Sequence, residues 1–376
     1  IFLTSRLNIL LPCIPMAMIS SYFSAGDKGG MLGDGWTFTF SLLGIAPLAE
    51  RLGYVTEQMA FYTNPTMGGL LNATFGNVTE MIVSIFALKG NLLRVVQLSL
   101  LGSILSNMLL VLGCAFLFGG MRYSEQSFNR QGVMANAGLL LLAVMGLSLP
   151  AMLHTTHTEL HGSASELALS RFTSLILLGM YFAYLYFQLI THSDLFEEDD
   201  DDDDDDDEEP VLGFWGSIVW LGVMTIFISI LSDYLVDAIE GASASWDISV
   251  AFISVIVLPI VGNAAEHASA VIFAMKNKLD ISLGVAIGSS TQIALLVIPF
   301  CVLLGWSMGI PLDLNLAVFE TASLYTSVVA VAFMVADGNS NWLKGVCLTV
   351  AYVILACSYF FHRDNQLKIN WPGVNA

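Results

Sequence analysis

Long apolar runs, separated by short polar turns, recur along almost the whole chain. Each is long enough to cross a bilayer as a helix, which takes about 20 apolar residues. The pattern predicts eleven spans, at 3–23, 36–62, 66–89, 93–119, 130–152, 167–191, 211–239, 248–275, 281–306, 312–336 and 341–362. Turns between them use helix-breaking residues such as Gly26-Asp27-Lys28-Gly29-Gly30, Thr63-Asn64-Pro65 and Asp337-Gly338-Asn339. One connection is different. The segment 192–210 is acidic, ends at Pro210 and divides the chain into six spans and then five. The expected fold class is an all-α polytopic membrane protein.

The two parts resemble each other. At an offset of 186, Gly76-Asn77-x-x-Glu80 falls on Gly262-Asn263-x-x-Glu266, Asn91 on Asn277 and Gly102-Ser103 on Gly288-Ser289. Leu109-Leu110-Val111 meets Leu295-Leu296-Val297, and 12 of the 44 ungapped positions from Gly76 to Gly119 are identical. At an offset of 183, Glu50 and Glu57 fall on Asp233 and Glu240. Spans 2–6 and 7–11 therefore read as two copies of a five-helix unit, with span 1 outside. Five is odd, so the second copy enters the membrane in the opposite sense, the inverted-repeat plan of many secondary transporters. The expected organisation is helix 1 at 1–23, a first five-helix repeat at 36–191, an acidic segment at 192–210, a second repeat at 211–362 and a tail at 363–376.

Composition agrees with this pattern. Hydrophobic residues make up 56% of the 376, charged residues only 12%, and mean hydropathy is +0.73. An ordinary soluble enzyme carries about twice that charge. The net charge of −19 is mostly local, because the unbroken run Glu197 to Glu209 supplies thirteen of the negative charges and leaves −6 for the rest. That run includes Glu197, Glu198, Asp199, Glu208 and Glu209. Like charges in such a block repel and stay solvated, and a regulatory Ca²⁺ or Mg²⁺ sensor is the alternative. Basic residues do not cluster, so a nucleic-acid partner is not expected; the expected partner is the lipid bilayer. Lys and Arg divide evenly between the two sides of the predicted topology, so the positive-inside rule assigns no orientation. Cys13, Cys114, Cys301, Cys347 and Cys357 all lie in apolar stretches and read as free thiols. No cleavable signal peptide is evident at the N-terminus.

The chemistry sits in the paired motifs. An Asp at the centre of a membrane helix costs about 2.5–3.5 kcal/mol to insert, so acids at that depth read as functional. Glu80 and Glu266 fall near the centres of spans 3 and 8. The preceding Gly-Asn weakens the helix and is expected to free backbone carbonyls into a protein cavity. Asn77 with Glu80, and Asn263 with Glu266, are three residues apart and share a helix face. Two carboxylates and two amides make an all-oxygen, dianionic cage, and Ca²⁺ takes about six to eight oxygens. Protons compete for the same carboxylates, which is the core of an antiport mechanism. The plainer alternative is a pair of buried, hydrogen-bonded carboxyls. His267, which replaces Met81 in the second copy, is a candidate for proton coupling or a core imidazole.

Other polar groups take supporting roles. Ser103, Ser106 and Asn107 in one copy, and Ser289, Ser290, Thr291 and Gln292 in the other, either complete the cation shell or pack helices. Glu50, Glu57, Asp233, Asp237 and Glu240 read as pathway or gate carboxylates. His154, His157 and His161 have a spacing that suggests zinc and a membrane metallohydrolase, but they lie in a polar loop with Glu159. Asn72 and Asn77 match the glycosylation pattern but fall within a predicted span.

Gly76-Asn77-Val78-Thr79-Glu80, Gly262-Asn263-Ala264-Ala265-Glu266-His267, Leu101-Gly-Ser-Ile-Leu-Ser-Asn107 and Gly288-Ser-Ser-Thr-Gln292 together resemble the cation/proton exchanger family of the cation/Ca²⁺ exchanger superfamily. The resemblance covers essentially the whole chain and is nearest to fungal vacuolar members. It implies eleven transmembrane helices, a cytosolic N-terminus and acidic segment, and a multi-pass place in the vacuolar membrane. It implies transport of cytosolic Ca²⁺ into the vacuole in exchange for H⁺, and no enzymatic activity. Glu80 and Glu266 would bind Ca²⁺ and protons in turn, Asn77 and Asn263 would support them, and His267 matches the proton-coupled branch. Val78 stands where that family is expected to have Ala. A Na⁺-coupled Ca²⁺ exchanger of the same fold and a Ca²⁺ channel or leak are the alternatives.

Overall fold

The computed structural model describes residues 5–26, 33–63, 65–157, 163–193 and 211–362. A 3₁₀ turn at Arg6–Leu10 leads into α1 (Cys13–Gly26) and α2 (Asp34–Ala60). α3 (Pro65–Phe75) and α4 (Val78–Lys89) are separated by Gly76 and Asn77. α5 (Leu93–Leu105) and α6 (Leu112–Arg122) run together through a π-helical stretch at Ser106–Val111. α7 (Arg130–Thr156) and α8 (Ser163–Tyr186) follow, the latter ending in π turns at Phe187–Thr191. α9 (Phe214–Trp246) precedes a helix assembled from α10 (Val250–Phe252), π turns at Ile253–Val257 and α11 (Leu258–Gly262). It bends by 56° into α12 (Ala264–Met275). α13 (Leu279–Leu283), π turns at Gly284–Gly288, α14 (Ser289–Gln292), π turns at Ile293–Val297 and α15 (Ile298–Met308) make another rod. α16 (Val318–Val335) and α17 (Trp342–Phe361) complete the bundle.

Among the described residues, eight helices are long and apolar enough to cross a membrane, or nine if the bent pair is one span. The sequence predicts eleven. Predicted spans 2 and 3 fall short for physical reasons: α2 carries Asp34, Glu50, Arg51 and Glu57, and α3 and α4 are only 11 and 12 residues long. The structure over the described residues is helical as expected, apart from one short ladder. Gln126–Ser127 (β1) and Asn339–Ser340 (β2) form a short antiparallel ladder, Gln126 opposite Ser340 and Ser127 opposite Asn339.

The rod from Leu93 to Arg122 is the centre of the bundle: 83% of its most apolar stretch is buried, against 22% for α17 at the edge. α17 and α12 cover α6, α16 lies on α7, α15 on α8, and α2 runs along α9 with α1 beside it. Asn91 (φ 57°) and Asn277 (φ 64°), matched in sequence, both turn the chain through the left-handed region, which Asn tolerates better than most residues.

Polar knots tie the two ends. At one end, Gln126 Nε2 donates to the Ala274 carbonyl and to Asn277 Oδ1, both at 2.9 Å, and the Asn129 amide donates to Asp280 Oδ1 at 2.7 Å. Lys344 Nζ reaches both carboxylate oxygens of Asp337 at 2.6 and 2.7 Å, and that hydrogen bonding holds the Asp337 carboxyl below its usual range. At the other end, Arg94 Nη2 meets the fully buried Glu320 at 2.5 Å, and Gln97 Nε2 donates to Asp313 Oδ1 at 2.9 Å. Asn315 Nδ2 donates to Glu166 Oε2 at 3.4 Å, and His154 Nδ1 is hydrogen-bonded to Glu166 Oε1.

Candidate cation site

Both Gly-Asn pairs break a helix, and they do so with nearly the same backbone. Asn77 has φ −109° and ψ 18°, and Asn263 has φ −98° and ψ 17°. Neither side chain caps its own helix, so both amides are available elsewhere. The expected release of carbonyls does not hold at these residues. The Asn77 carbonyl accepts from the Met81 amide at 3.1 Å and the Asn263 carbonyl from the His267 amide at 2.9 Å. Glu80 and Glu266 consequently lie in the first turns of α4 and α12 rather than mid-helix. A helix start presents amide hydrogens and the positive end of the dipole, which favours a carboxylate there.

The two glutamates meet at one open cavity of ≈ 1030 Å³, lined also by Asn77, Ser289 and Gln292. Asn77 Nδ2 donates to Gln292 Oε1 at 2.7 Å, and Ser289 Oγ donates to Asn77 Oδ1 at 2.8 Å. Asn107 Nδ2 donates to Ser289 Oγ at 3.2 Å, joining the central rod to the network. Ser106 Oγ lies 3.2 Å from His267 Nε2. Glu80 shares a second, far smaller cavity of ≈ 40 Å³ with Ser103 and Asn263. That is room for a water or an ion, since one water needs about 10–15 Å³ of such space. Among the described residues, Glu266 Oε2, Asn263 Nδ2 and Asn107 Oδ1 are buried with no hydrogen-bond partner. Buried polar atoms are normally satisfied. Glu266 Oε2 and Asn107 Oδ1 are acceptors that a cation or a proton donor could complete, whereas Asn263 Nδ2 is a donor and could pair only with an acceptor.

The sequence-predicted residues separate into groups. Asn77, Glu80, Asn107, Glu266, Ser289 and Gln292 converge as described, with Ser103 and Asn263 on the smaller cavity and Ser106 on His267. Ser290 and Thr291 face elsewhere, donating to the Ala286 and Ile287 carbonyls one turn back. Glu50 and Glu57 line the large cavity, and Glu50 Oε2 accepts from Ser5 Oγ at 2.6 Å. Their sequence partners Asp233 and Glu240 do not, and neither does Asp237: all three are exposed along α9, and none lines the large cavity. His154 is engaged with Glu166, and its ring centroid is 6.3 Å from that of His157. His161, Glu159 and the acidic run with Glu197, Glu198, Asp199, Glu208 and Glu209 lie outside the described residues.

Sequence reasoning missed Arg51, Gln188 and Lys278, which also line the large cavity. Arg51 Nη1 donates to the Pro47 carbonyl at 2.7 Å, and its other arm bonds Asn8. A cation inside span 2 and a lone Gln in the apolar run of span 6 were the available signals.

Known proteins resemble this chain in sequence and in fold. The profile of the sodium/calcium exchanger protein family matches residues 34–190 and 216–361. Vacuolar cation/proton exchanger 5 of Arabidopsis thaliana is 57% identical over 372 residues, 97% of this chain and 83% of that protein. Vacuolar cation/proton exchanger 3 of Oryza sativa subsp. japonica is 57% identical over 374 residues, 97% of this chain and 88% of that one. Both are plant proteins, where the motifs pointed nearest to fungal ones. The solved structure of selenium-substituted Ca²⁺/H⁺ antiporter YfkE superposes with a TM-score of 0.77 at 32% identity, covering 94% of this chain and 100% of that one. Matched over both halves and across nearly the full length of these relatives, the chain belongs to the sodium/calcium exchanger protein family.

Proposed function

We infer that this protein is a secondary antiporter that moves cytosolic Ca²⁺ into the vacuole in exchange for H⁺ by alternating access. The observation that carries the reading is that Glu80 and Glu266, each in the first turn of a half-helix after a Gly-Asn break, face one cavity. The names of the plant relatives and of YfkE support the choice of ions and of membrane. In this reading the chain has eleven spans, helix 1 followed by two inverted five-helix repeats, with domain bounds as the sequence predicts. The shared left-handed Asn91 and Asn277 and the matched breaks at Asn77 and Asn263 support it.

Glu50 and Glu57 draw cations into the open cavity by their negative charge. At its base, the carboxylates of Glu80 and Glu266 and the amide oxygens of Asn77 and Asn263 replace water around Ca²⁺. Ser103, Ser106, Asn107, Ser289 and Gln292 orient those ligands. Protons arriving from an acidic compartment occupy the same carboxylates and displace the ion, with His267 beside Glu266 as proton carrier. The acidic segment is a regulatory element with Ca²⁺ as its ligand. Two protons falling through about two pH units release about 5.6 kcal/mol, enough for roughly four orders of magnitude in Ca²⁺ concentration.

The test is ⁴⁵Ca²⁺ uptake into proteoliposomes with an acidic interior and no Na⁺. Uphill uptake that collapses with a protonophore is expected. Uptake indifferent to the pH gradient would mean a channel or leak, and uptake that needs a Na⁺ gradient would mean a Na⁺-coupled exchanger.

A further inference from the structure

The paired Gly-Ser sequences of the two halves meet opposite surroundings. Gly102, on α5, is packed where its rod crosses the π turns at Ile253–Val257 and α11. A methyl group added there would overlap the Val255 carbonyl and lie 2.7 Å from Val255 Cα and 2.8 Å from Pro259 Cγ. At least two of those atoms are backbone, so the helices themselves would have to part. Gly288, at the matched position, has nothing within 4 Å of the same methyl, nor has Gly284 one turn earlier on the same face. Gly284 and Ser289 line the large cavity, and so does Gly69 of α3. At the offset of 186, Gly69 is the partner of Val255. The contact made at Gly102 therefore has a counterpart by position, Gly288 against α3 near Gly69. Gly288 is buried with open space where a methyl would go, beside Gly284 and Ser289 on the cavity wall. Gly69 is covered by the Leu189 side chain, which would have to swing aside for the two helices to meet.

We propose that Gly102 and Gly288 are alternating close-packing points: the bundle closes at Gly102 while the large cavity is open, and closes at Gly288 against α3 when the opposite side opens. This rests on the inverted-repeat antiporter reading. Two copies of one unit in opposite senses exchange environments when the open side changes. Only glycine lets both crossings reach backbone contact. An alanine at either point penalises the one state in which that point is packed, and overpacking of this kind moves a two-state balance by about tenfold or more.

The test uses Gly102→Ala and Gly288→Ala, each with a Ser269→Cys reporter on the cavity wall and the five native cysteines replaced by alanine. Two quantities are read: labelling of the reporter by a membrane-impermeant maleimide, and Ca²⁺ uptake. Gly288→Ala meets no atom in the cavity-open state, so it is expected to fold, to label as fast as the parent or faster, and to lose about tenfold in uptake. Gly102→Ala is expected to label several-fold more slowly, as the open cavity becomes the disfavoured state. Parent-like uptake by Gly288→Ala, or unchanged labelling of a folded Gly102→Ala, overturns the proposal. Should Gly102→Ala not fold, Gly288→Ala decides alone. Labelling needs neither Ca²⁺ nor a pH gradient. A parent protein without proton-driven uptake would thus sink the antiporter reading while the labelling comparison still tests the alternation.

Discussion

Asn77 and Asn263 occupy matched breaks with backbone angles that agree to about ten degrees, yet their side chains have different company. Asn77 is bonded at both ends of its amide, to Gln292 and Ser289, beside a wide cavity. Asn263 is buried, its nitrogen has no partner, and the space beside it is ≈ 40 Å³. Local sequence sets the break, and the break is the same twice. What packs against it is not the same twice, because the large cavity opens beside Asn77 and not beside Asn263. Arg94 and Asp280 extend the contrast. They hold matched positions in the first turns of α5 and α13, with opposite charge. Asp280 suits a helix start, whereas Arg94 opposes the dipole and is instead held by buried Glu320.

The comparison breaks most visibly if the two glutamates are unequal. Glu80→Gln and Glu266→Gln are each expected to cut Ca²⁺ uptake by a factor of about 100 or more, as loss of a charged ligand costs several kcal/mol. The proteins should remain folded by size exclusion. Near-normal transport in either variant would remove it from the site. Next in size is Arg94→Ala, which strands the Glu320 carboxylate in the interior and should cost about 3–5 kcal/mol in stability. Asp280→Ala removes only one cap-like hydrogen bond and should cost about 1 kcal/mol. Equal shifts in thermal midpoint for the two would contradict the contrast.

Asn77→Ala is a smaller effect. It leaves Gln292 Oε1 without its donor and Ser289 Oγ without its acceptor, though Asn107 still donates to Ser289, a cost of about 1–3 kcal/mol. Asn263→Ala, which loses no bond made by its amide nitrogen, should lower the thermal midpoint less. The reverse order would mean that the Asn77 network contributes little. Asp337 is a control outside both motifs. Because Lys344 lowers its pKa, its contribution to stability is present above the ordinary Asp range and is lost as pH falls through the lowered value. Asp337→Asn should therefore flatten the stability profile below about pH 4. At pH 7 it should move the midpoint by no more than about 2 °C, as the pair is on the surface.

The Gly-Asn-x-x-Glu breaks were legible in the sequence because poor helix formers act within one turn. Asn91 and Asn277 were legible only as an identity between the halves, and their shared left-handed turn comes from the structure. Partners of the site were legible only as polar faces. That Gln292 belongs to Asn77, 215 residues away, follows from how the rods cross, which no spacing encodes. Arg94 and Glu320, 226 apart, were invisible for that reason too. The sequence match of Glu50 and Glu57 with Asp233 and Glu240 is not repeated in their surroundings, since only the first pair lines the large cavity. It carried no information on which pair faces the open cavity. Spans 2 and 3 differ from the other site helices: α2 is diluted by charge and span 3 is broken at Asn77, whereas the rods that carry Asn107 and Gln292 have mean hydropathies of 2.1 and 2.0 in their most apolar stretches.

The π turns have a mechanical meaning. The stretch at Ser106–Val111 falls almost on that at Ile293–Val297 when the halves are matched, but the turns at Gly284–Gly288 have no equivalent in α5. A π turn holds one residue more than an α turn, and one α-helical residue is about 100° of rotation. The second rod thus carries an added thread of its screw just before Ser289 and Gln292, and the first does not. Identical letters are delivered to the centre at different angles, and deleting one residue between Gly284 and Gly288 would re-aim Gln292 with every functional side chain still present.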